Sequence, residues 1–359
     1  MTQVDTAKTG QGGAGRRGTG SRAGRAGIRR VVDALSRPGP WRRGLVLAAS
    51  AVLLGLVLLL HAHITDRGGL GSLVETCLPW FGLVVPVLLI GALWRRSVSA
   101  VVALLLPGVV WLDLFGGLFG GGSHAASDTG LTVAEHNVAA GNPDPAGTAR
   151  DLAASGADVL ALVELTPEAL VPYEKGLAGA YRYHTVQGTV GLWSTFPLSE
   201  VQPIDITDFG PLAATKPADV KLVSNRALRA TVATGQGPLT VYVAHLGSVR
   251  LMPRGGFWTD SRDRDAQALA EAVAGERNER VVLLGDLNGT TDDRALDGLT
   301  SQLRSVQAEA GDGFGFTWPT RFPVARIDQI LVRGVEPTSS WVLPATGSDH
   351  LPVAAGISW

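Results

Sequence analysis

The sequence predicts an α/β domain of two packed sheets with outer helices over residues 131–359, preceded by three transmembrane helices. Long apolar stretches fill residues 44–119 and end there. Further along, short apolar runs separated by turn residues alternate with segments of helical spacing, which is the pattern of one α/β domain. The charge also divides, because residues 1–124 carry 13 Lys and Arg against 5 Asp and Glu, whereas residues 125–359 carry 18 against 27. This asymmetry indicates that the two parts have different surroundings.

The first 43 residues are rich in Gly, Ala and Arg and contain almost no large apolar residue before Ile28. Such a composition is typical of a disordered tail, because it cannot bury enough apolar surface to fold. The segment is also longer and richer in arginine than the charged start of a cleavable signal peptide. We therefore predict a disordered basic tail over residues 1–43.

Three apolar stretches follow, and each is close to the ~20 residues that a helix needs to cross a hydrocarbon core of ~30 Å. They cover residues 44–64, 78–94 and 98–119. Buried helices of a soluble domain are the alternative, but three stretches so poor in charge would leave no polar face for solvent. The sequence therefore predicts three transmembrane helices over residues 44–119, followed by a Gly-rich flexible linker over residues 120–130.

Arginine placement predicts the direction in which these helices cross the membrane. Arg42 and Arg43 precede the first stretch, and Arg95 and Arg96 separate the second from the third, whereas the loop between the first two contains only Arg67. The positive-inside rule then puts the N-terminus and the turn at residues 95–96 in the cytoplasm. Three crossings predict a multi-pass protein of the cell membrane with an extracytoplasmic C-terminal domain.

The C-terminal part contains eight short apolar runs that have the length and the flanking turn residues of strands. They cover residues 131–138, 158–163, 190–194, 228–233, 239–245, 281–286, 327–333 and 351–357. Apolar residues at helical spacing predict helices over residues 148–155, 167–178 and 262–274. One α/β domain accounts for this mixture of strands and helices.

Polar residues that are able to bind a metal or a phosphate stand at the ends of these strands. They are Asn137, Glu164, His245, Asp286, Asn288, Asp328, Asp349 and His350. Taken singly, each has an ordinary structural explanation, such as a turn residue or a satisfied core histidine. Taken together, they place acids, amides and imidazoles along one rim, while the strand interiors are almost purely apolar. Because carboxylates hold Mg²⁺ and imidazoles handle protons and phosphoryl oxygens, the set predicts a metal-dependent phosphoesterase.

In chain order these motifs resemble those of the endonuclease/exonuclease/phosphatase superfamily, which includes DNase I-like nucleases, inositol phosphatases and sphingomyelinases. The segments that carry the resemblance are LTVAEHN, DVLALVE, VYVAHL, VVLLGDLN, RIDQILV and SDH. The resemblance covers residues 128–359 and implies a four-layered α/β sandwich with the active site at one edge of the sheets.

The same resemblance implies a metal site. Glu164 would be the principal Mg²⁺ ligand, with Asn137 and Asp349 close to the metal. Mg²⁺ takes few carboxylates and keeps bound waters, which leaves room for substrate oxygens, and Mn²⁺ is an alternative. Because the acids of this rim would repel a phosphate without a cation, we expect the metal-free site to be inactive.

The remaining rim residues would be catalytic on the same resemblance. Asp286 would orient or activate the attacking water or assist the leaving group, and Asn288 would position the phosphate and Asp286. His350 would contact the phosphoryl group with Asp328 hydrogen-bonded to its other nitrogen, since a carboxylate fixes the tautomer and orientation of an imidazole. His245 would bind a phosphate oxygen.

Charge and tethering bear on the substrate. A nuclease depends on Lys and Arg contacts to phosphates, whereas the C-terminal part contains only three lysines, Lys175, Lys216 and Lys221. Long nucleic acid is therefore disfavoured as a partner. A short tether holds the site near the outer leaflet and raises the effective concentration of membrane-bound substrates. The aromatic and apolar segment at residues 251–260 contacts lipid, lines a groove for a lipid tail, or packs on the domain itself.

The whole layout resembles the VanJ-type membrane proteins of actinobacteria, which are linked to teicoplanin resistance. That resemblance implies a lipid-linked phosphate of cell-wall synthesis as substrate, such as undecaprenyl pyrophosphate. A surface nuclease or phosphodiesterase is one alternative, and a non-catalytic resistance protein that sequesters a ligand is another. The single cysteine, Cys77, excludes an intrachain disulfide, and the oligomeric state stays open.

Overall fold

The computed structural model describes residues 39–120, 130–207, 225–253 and 256–359. Most of the predicted basic tail, most of the predicted linker, and both Lys216 and Lys221 lie outside the described residues.

The apolar part forms six helices whose large side chains are mostly exposed, as in helices that face lipid. They are α1 (Leu45–Leu60), α2 (Leu70–Thr76), α3 (Leu78–Phe81), α4 (Val84–Trp94), α5 (Val98–Ala103) and α6 (Leu105–Phe115). Two continuous helical stretches, Leu45–His63 and Val98–Phe119, are long and apolar enough to cross a membrane. These two stretches support the predicted first and third spans by length and composition.

The middle stretch departs from a simple span. Arg67–Thr76 and Leu78–Trp94 pass the same test only together, and they meet at an angle of 65°. The bend follows from the sequence, because Pro79 begins the second piece at a position that proline tolerates. The first piece carries the polar residues Ser72 and Glu75, which are buried. By length and composition, the described residues therefore contain two candidate spans, or three if the bent pair crosses as one.

The C-terminal part consists of two mixed six-stranded sheets packed face to face. The first has the order β13-β14-β1-β2-β4-β3 and the second β11-β12-β10-β7-β6-β5. The strands of the first sheet are β1 (Leu131–Asn137), β2 (Val159–Val163), β3 (Tyr183–Gln187), β4 (Val190–Ser194), β13 (Glu336–Val342) and β14 (Val353–Ser358). Those of the second are β5 (Leu198–Pro203), β6 (Ala227–Thr234), β7 (Gly237–His245), β10 (Val281–Asp286), β11 (Arg304–Ser305) and β12 (Asp328–Arg333). A separate hairpin pairs β8 (Arg250–Met252) with β9 (Gly256–Trp258).

Helices cover the outer faces of both sheets. Helices α7 (Pro145–Ala154) and α8 (Pro167–Leu177) share an apolar cluster with the first sheet, and α9 (Asp260–Ala274) shares one with the second. The largest cluster lies between the sheets. Two short helices complete the domain, α10 (Asp297–Thr300) and α11 (Val306–Ala310). The predicted four layers are therefore present, and each predicted strand and helix of this part is found within a few residues.

Six strands were not predicted, namely β3, β5, β8, β9, β11 and β13. Four of them are the edge strands of the two sheets. An edge strand is partly exposed, so its sequence mixes polar and apolar residues, as the exposed residues of β5 illustrate. The continuous apolar runs that reveal central strands are absent from such segments.

Candidate functional site

The polar rim lies where the carboxyl ends of parallel strands meet. β7 and β10 run parallel and pair Asp286 with His245, while β12 runs antiparallel on the other side and pairs Asp286 with Asp328. Gly285 permits this arrangement, since a Cβ there would lie 1.9 Å from the carbonyl oxygen of Ala244. Strand pairing alone therefore sets three of the predicted residues side by side.

Asn137 connects the rims of the two sheets. Its Nδ2 donates hydrogen bonds to Glu164 Oε1 (3.1 Å) and to Asp286 Oδ2 (2.9 Å). Its Oδ1 accepts from the backbone N–H of Ala139 at 3.0 Å. The amide therefore holds two carboxylates, one from each sheet, around a common point.

Glu164 and Asn288 share an unusual backbone conformation. Their φ angles are +63° and +48°, in the left-handed region that residues other than glycine rarely adopt. A residue in this region costs of order 1–3 kcal/mol in strain. Such residues are held in place by the surrounding structure and are often found at functional sites. Here, this conformation turns the Glu164 carboxylate back to accept from Ala140 N–H at 3.0 Å, and lets Asn288 N–H donate to Asp286 Oδ1 at 2.8 Å.

His350 and Asp328 form a buried dyad. Nδ1 of His350 donates to the Asp328 carboxylate, with both oxygens at 3.0 Å, and its Nε2 lies 3.9 Å from Asp286 Oδ2. Burial alone would lower the pKa of His350, but the hydrogen bond and the charge of Asp328 raise it to about 9. The imidazole is therefore cationic at neutral pH and turns Nε2 toward the rim.

His245 has the opposite character. Burial lowers its pKa well below the ordinary value, and the nearby positive charges of Arg226 and His350 lower it further. Its Nε2 lies 3.5 Å from Glu164 Oε1 and 3.8 Å from Asp286 Oδ2 and has no hydrogen-bond partner within the described parts of the chain. His245 is thus a neutral imidazole with one nitrogen available at the point where the carboxylates converge.

Asp286 lies at the centre of the group. Its side chain is almost fully buried, and burial together with the charge of Asp328 raises its pKa to about 7. Such a carboxyl group is able both to accept and to donate a proton near neutral pH, which is the property of a general acid or base. The resemblance left these two roles open, and the pKa is compatible with each.

The donor set fits a divalent cation. Within the described ranges, Asp286, Asp328 and His350 are the acids and histidines whose ligand atoms lie within 4.8 Å of one another in a group of three. Since Nδ1 of His350 is already bonded to Asp328, the carboxylate of Glu164, which lines the cavity and shares Asn137 with Asp286, is the better ligand for a hard ion such as Mg²⁺. The charge of Asp328, which helps to raise the pKa of Asp286, also favours a cation here.

Two further features qualify the sequence prediction. Asp349 is exposed, and it lies on the wall of the cavity described below.

Glu135, two residues before Asn137 on β1, is completely buried, and neither of its carboxylate oxygens has a hydrogen-bond partner in the described structure. Burial and the charges of Asp328 and Asp286 raise its pKa well above the ordinary value. Sequence reasoning missed Glu135, although an acid inside the apolar run LTVAEHN was a signal.

The rim opens into a cavity of about 610 Å³ whose opposite wall is apolar. The polar side contains Glu164, Asp286, Asn288, Asp349 and His350. The apolar side contains residues of three separate segments: Cys77 and Trp80 from the apolar helices, Phe257 from the hairpin, and Trp318, Phe322 and Val324 from the loop before β12. Of this wall, sequence reasoning offered only Phe257, as part of the segment at residues 251–260, because the other members are far apart in the chain.

Comparison with known proteins gives a consistent result. The model of a family described as Endonuclease/Exonuclease/phosphatase family matches residues 134–350, whereas no curated protein matches the chain. Two solved structures are similar. D. rerio TDP2 complexed with a single-strand DNA product has 20% identity, with 65% of this chain and 100% of that one covered and a TM-score of 0.52. A family protein from Bacteroides thetaiotaomicron has 18% identity, with 64% and 98% covered and a TM-score of 0.50. At these identities the two structures show a shared fold.

Proposed function

The chain belongs to the Endonuclease/Exonuclease/phosphatase family, whose members hydrolyse phosphoesters, and from this premise we propose that it is a membrane-anchored, metal-dependent phosphoesterase. Its substrate would be a lipid-linked phosphate or pyrophosphate at the outer face of the cell membrane. The observation that carries this proposal is the shared cavity, in which the polar rim faces Cys77 and Trp80 at the start of an apolar helix. A phosphate group on an apolar chain has the two chemistries that the two walls offer.

Glu164 would hold Mg²⁺ or Mn²⁺, with Asn137, which bonds to the Glu164 carboxylate, and Asp349 of the cavity wall close to the metal. A bound cation would neutralise the charge of the phosphate and lower the pKa of a bound water. Without a cation, the negative charges of Glu164, Asp286 and Asp328 would repel a phosphate.

The two histidines would have different tasks. His350, cationic and fixed by Asp328, would donate a hydrogen bond from Nε2 to a phosphoryl oxygen, and charge-assisted bonds of this kind are the stronger ones. His245, neutral, would bind a second phosphate oxygen through its available nitrogen. Asp286 would exchange a proton with the attacking water or the leaving group, and Asn288 holds Asp286 through its backbone N–H.

Topology and charge support the extracytoplasmic, lipid-directed version of the proposal. The two apolar stretches and the bent pair are compatible with a membrane anchor, and the arginine distribution favours a cytoplasmic N-terminus. The excess of acids over Lys and Arg after residue 124 disfavours long nucleic acid. Turnover of a polyprenyl pyrophosphate such as undecaprenyl pyrophosphate would act on cell-wall synthesis, which is the basis for a proposed role in teicoplanin resistance.

The test is phosphate release from undecaprenyl pyrophosphate by the full chain in detergent, with Mg²⁺ or with EDTA. We expect turnover by the wild type that is lost in EDTA, in Glu164→Ala and in His350→Ala. Glu168→Ala and His184→Ala are matched controls, since both residues are exposed and lie outside the cavity, and they should retain activity.

A plasmid-DNA digest run in parallel separates the alternatives. Cleavage of DNA without turnover of lipid would make the protein an anchored nuclease. A wild type inactive on both substrates would contradict the proposed chemistry and favour a non-catalytic, ligand-binding protein.

A further inference from the structure

The apolar wall of the cavity has an organised aromatic centre. Nε1 of Trp80 donates to the carbonyl oxygen of Val324 at 2.8 Å, so the indole is fixed in orientation. Its ring stacks on Phe316 with centroids 5.5 Å apart and on Phe322 with centroids 6.5 Å apart. Trp318, also on this wall, has its ring centroid 6.5 Å from that of His350. Aromatic rings therefore line the wall both beside the dyad and around Trp80.

Some apolar side chains of this wall and of the segment that carries Trp80 are exposed. Phe322 is 69% exposed, and Leu83, three residues after Trp80, is 61% exposed. The following helix α4 presents further apolar side chains to its surroundings, among them Val87 and Ile90. Trp80 of the cavity wall and Leu83 therefore belong to one apolar segment, which joins the cavity to the part of the protein that is proposed to lie in lipid.

The bent segment that carries Trp80 is fixed on the domain by polar contacts. Glu75 is buried and bonds to Arg294 through Nη2 (2.6 Å) and Nε (3.0 Å). Ser72 bonds to Asp293, which in turn binds Arg262 at 2.7 Å. These contacts, termed here the polar clamp, hold the start of α3 in place at the cavity, so that Trp80 is a constant part of its wall.

The hairpin completes the other side of the wall. Gly69 lies so close to β9 that a Cβ there would stand 1.7 Å from the carbonyl oxygen of Phe257. Phe257 also lines the cavity. The apolar side of the cavity, lined by Trp80, Phe257 and Phe322, is termed here the trough.

We propose that this trough binds the apolar chain of a phosphorylated lipid, and that Trp80 and Phe322 determine specificity for long-chain over short-chain phosphate substrates. The inference rests on the proposed function, because it places the phosphate of the same substrate at the rim. The occupant is a lipid of the surrounding leaflet, since Cys77 and Trp80, which line the cavity, belong to the apolar segment that is proposed to lie in lipid. Aromatic side chains suit this task because they offer a large, rigid apolar surface at low entropic cost.

A chain-length series tests the proposal. The substrates are isopentenyl, farnesyl and undecaprenyl pyrophosphate, and the measured quantity is kcat/KM for phosphate release in detergent with Mg²⁺. We expect the wild type to have its highest kcat/KM on the long-chain substrate. Trp80→Ala should lower kcat/KM on this substrate about tenfold and change it little on the shortest substrate. The reason is that the variant loses the apolar contact area of a large aromatic side chain.

Two variants serve as controls. Trp80→Phe keeps a ring at the site and should retain most of the preference. Trp94→Ala removes a tryptophan that is 87% exposed at the far end of the same segment, and it should behave as the wild type. An equal loss on all three substrates in Trp80→Ala, or no loss on any, would overturn the proposal.

A second readout does not depend on turnover. Cys77 is the only cysteine of the chain and lines the same cavity, so the rate of its alkylation by a maleimide reports occupancy of the trough. In the inactive variant His350→Ala with Mg²⁺ present, undecaprenyl pyrophosphate should slow the labelling several-fold, and inorganic pyrophosphate should not. Protection by the lipid without turnover by the wild type would sustain the trough and contradict the proposed chemistry, whereas turnover without protection would contradict the trough alone.

Discussion

The two walls of the cavity are built in different ways. The polar rim consists of strand ends, and its side chains are buried and cross-linked by hydrogen bonds such as those of Asn137 to Glu164 and Asp286. The apolar wall consists of loops and a helix start, held by ring stacking and by a few polar contacts at a distance. The comparison indicates that the rim is suited to catalysis, for which side-chain positions must be held to fractions of an ångström. The apolar wall is suited to the selection of substrates, for which shape and apolar area matter.

The largest effect should come from the rim. Asp328→Asn removes the charge that orients His350 and keeps it cationic, while preserving the size of the side chain. We expect kcat to fall about 10²-fold with KM little changed, since groups that position a catalytic residue contribute on this order. The kinetics of Asp312→Asn, an exposed residue absent from the cavity lining, provide the control; an equal loss there would refute the assignment.

The same variant should change the pH dependence of stability. The folded-state pKa of His350, about 9, lies above the ~6.5 of an unfolded histidine. Its stabilisation is therefore complete below about pH 6.5 and is lost as the pH rises through 9. Melting temperatures in EDTA should fall across this range for the wild type. A fall of the same size in Asp328→Asn would show that the dyad is not its cause.

A smaller effect is expected at the polar clamp that fixes the apolar wall. Arg294→Ala leaves the buried carboxylate of Glu75 without its principal partner, and we expect a loss of about 2 kcal/mol in the stability of the docked state. Arg304→Ala is the matched control, because Arg304 pairs with Glu309 and Glu336 at the surface, where such pairs contribute about 1 kcal/mol or less. Thermal unfolding in detergent measures both, and equal shifts would argue against a clamp.

The smallest effect should come from the tip of the hairpin. Leu251 is 80% exposed and Met252 is also exposed, so these two side chains do not pack on the domain, and their contact with lipid stays a prediction. Replacing both by Ser should lower turnover in liposomes about 2–3-fold and leave turnover in detergent unchanged, because interfacial insertion scales with apolar area. Val171→Ser, at an exposed position of α8, is the control. A loss in both media would contradict lipid contact.

The sequence predicted the rim well and the apolar wall hardly at all. Asn137, Glu164, His245, Asp286 and His350 converge because each follows or precedes a strand, and strand ends are readable from apolar runs. Their roles stay predictions, and the position of Asp349 shows only that it borders the cavity.

The apolar wall depends on contacts between distant segments. Trp80 and Val324 are 244 residues apart, and an aromatic residue in an apolar helix gives no sign that it borders a catalytic cavity. The bend at Cys77 was missed for a related reason, because Leu78–Trp94 has the composition of a straight span, whereas the burial of Ser72 and Glu75 depends on a tertiary partner. The edge strands were not predicted for a different reason, namely that their sequences mix polar and apolar residues.

The polar clamp also sets the kind of kinetics to expect in a membrane. An enzyme whose catalytic domain is fastened to its own anchor keeps its active site at one height and samples substrate by lateral diffusion. The quantity that governs its rate is then the mole fraction of substrate among the surrounding lipids. Dilution of the substrate with inert lipid would slow such an enzyme even at constant bulk concentration.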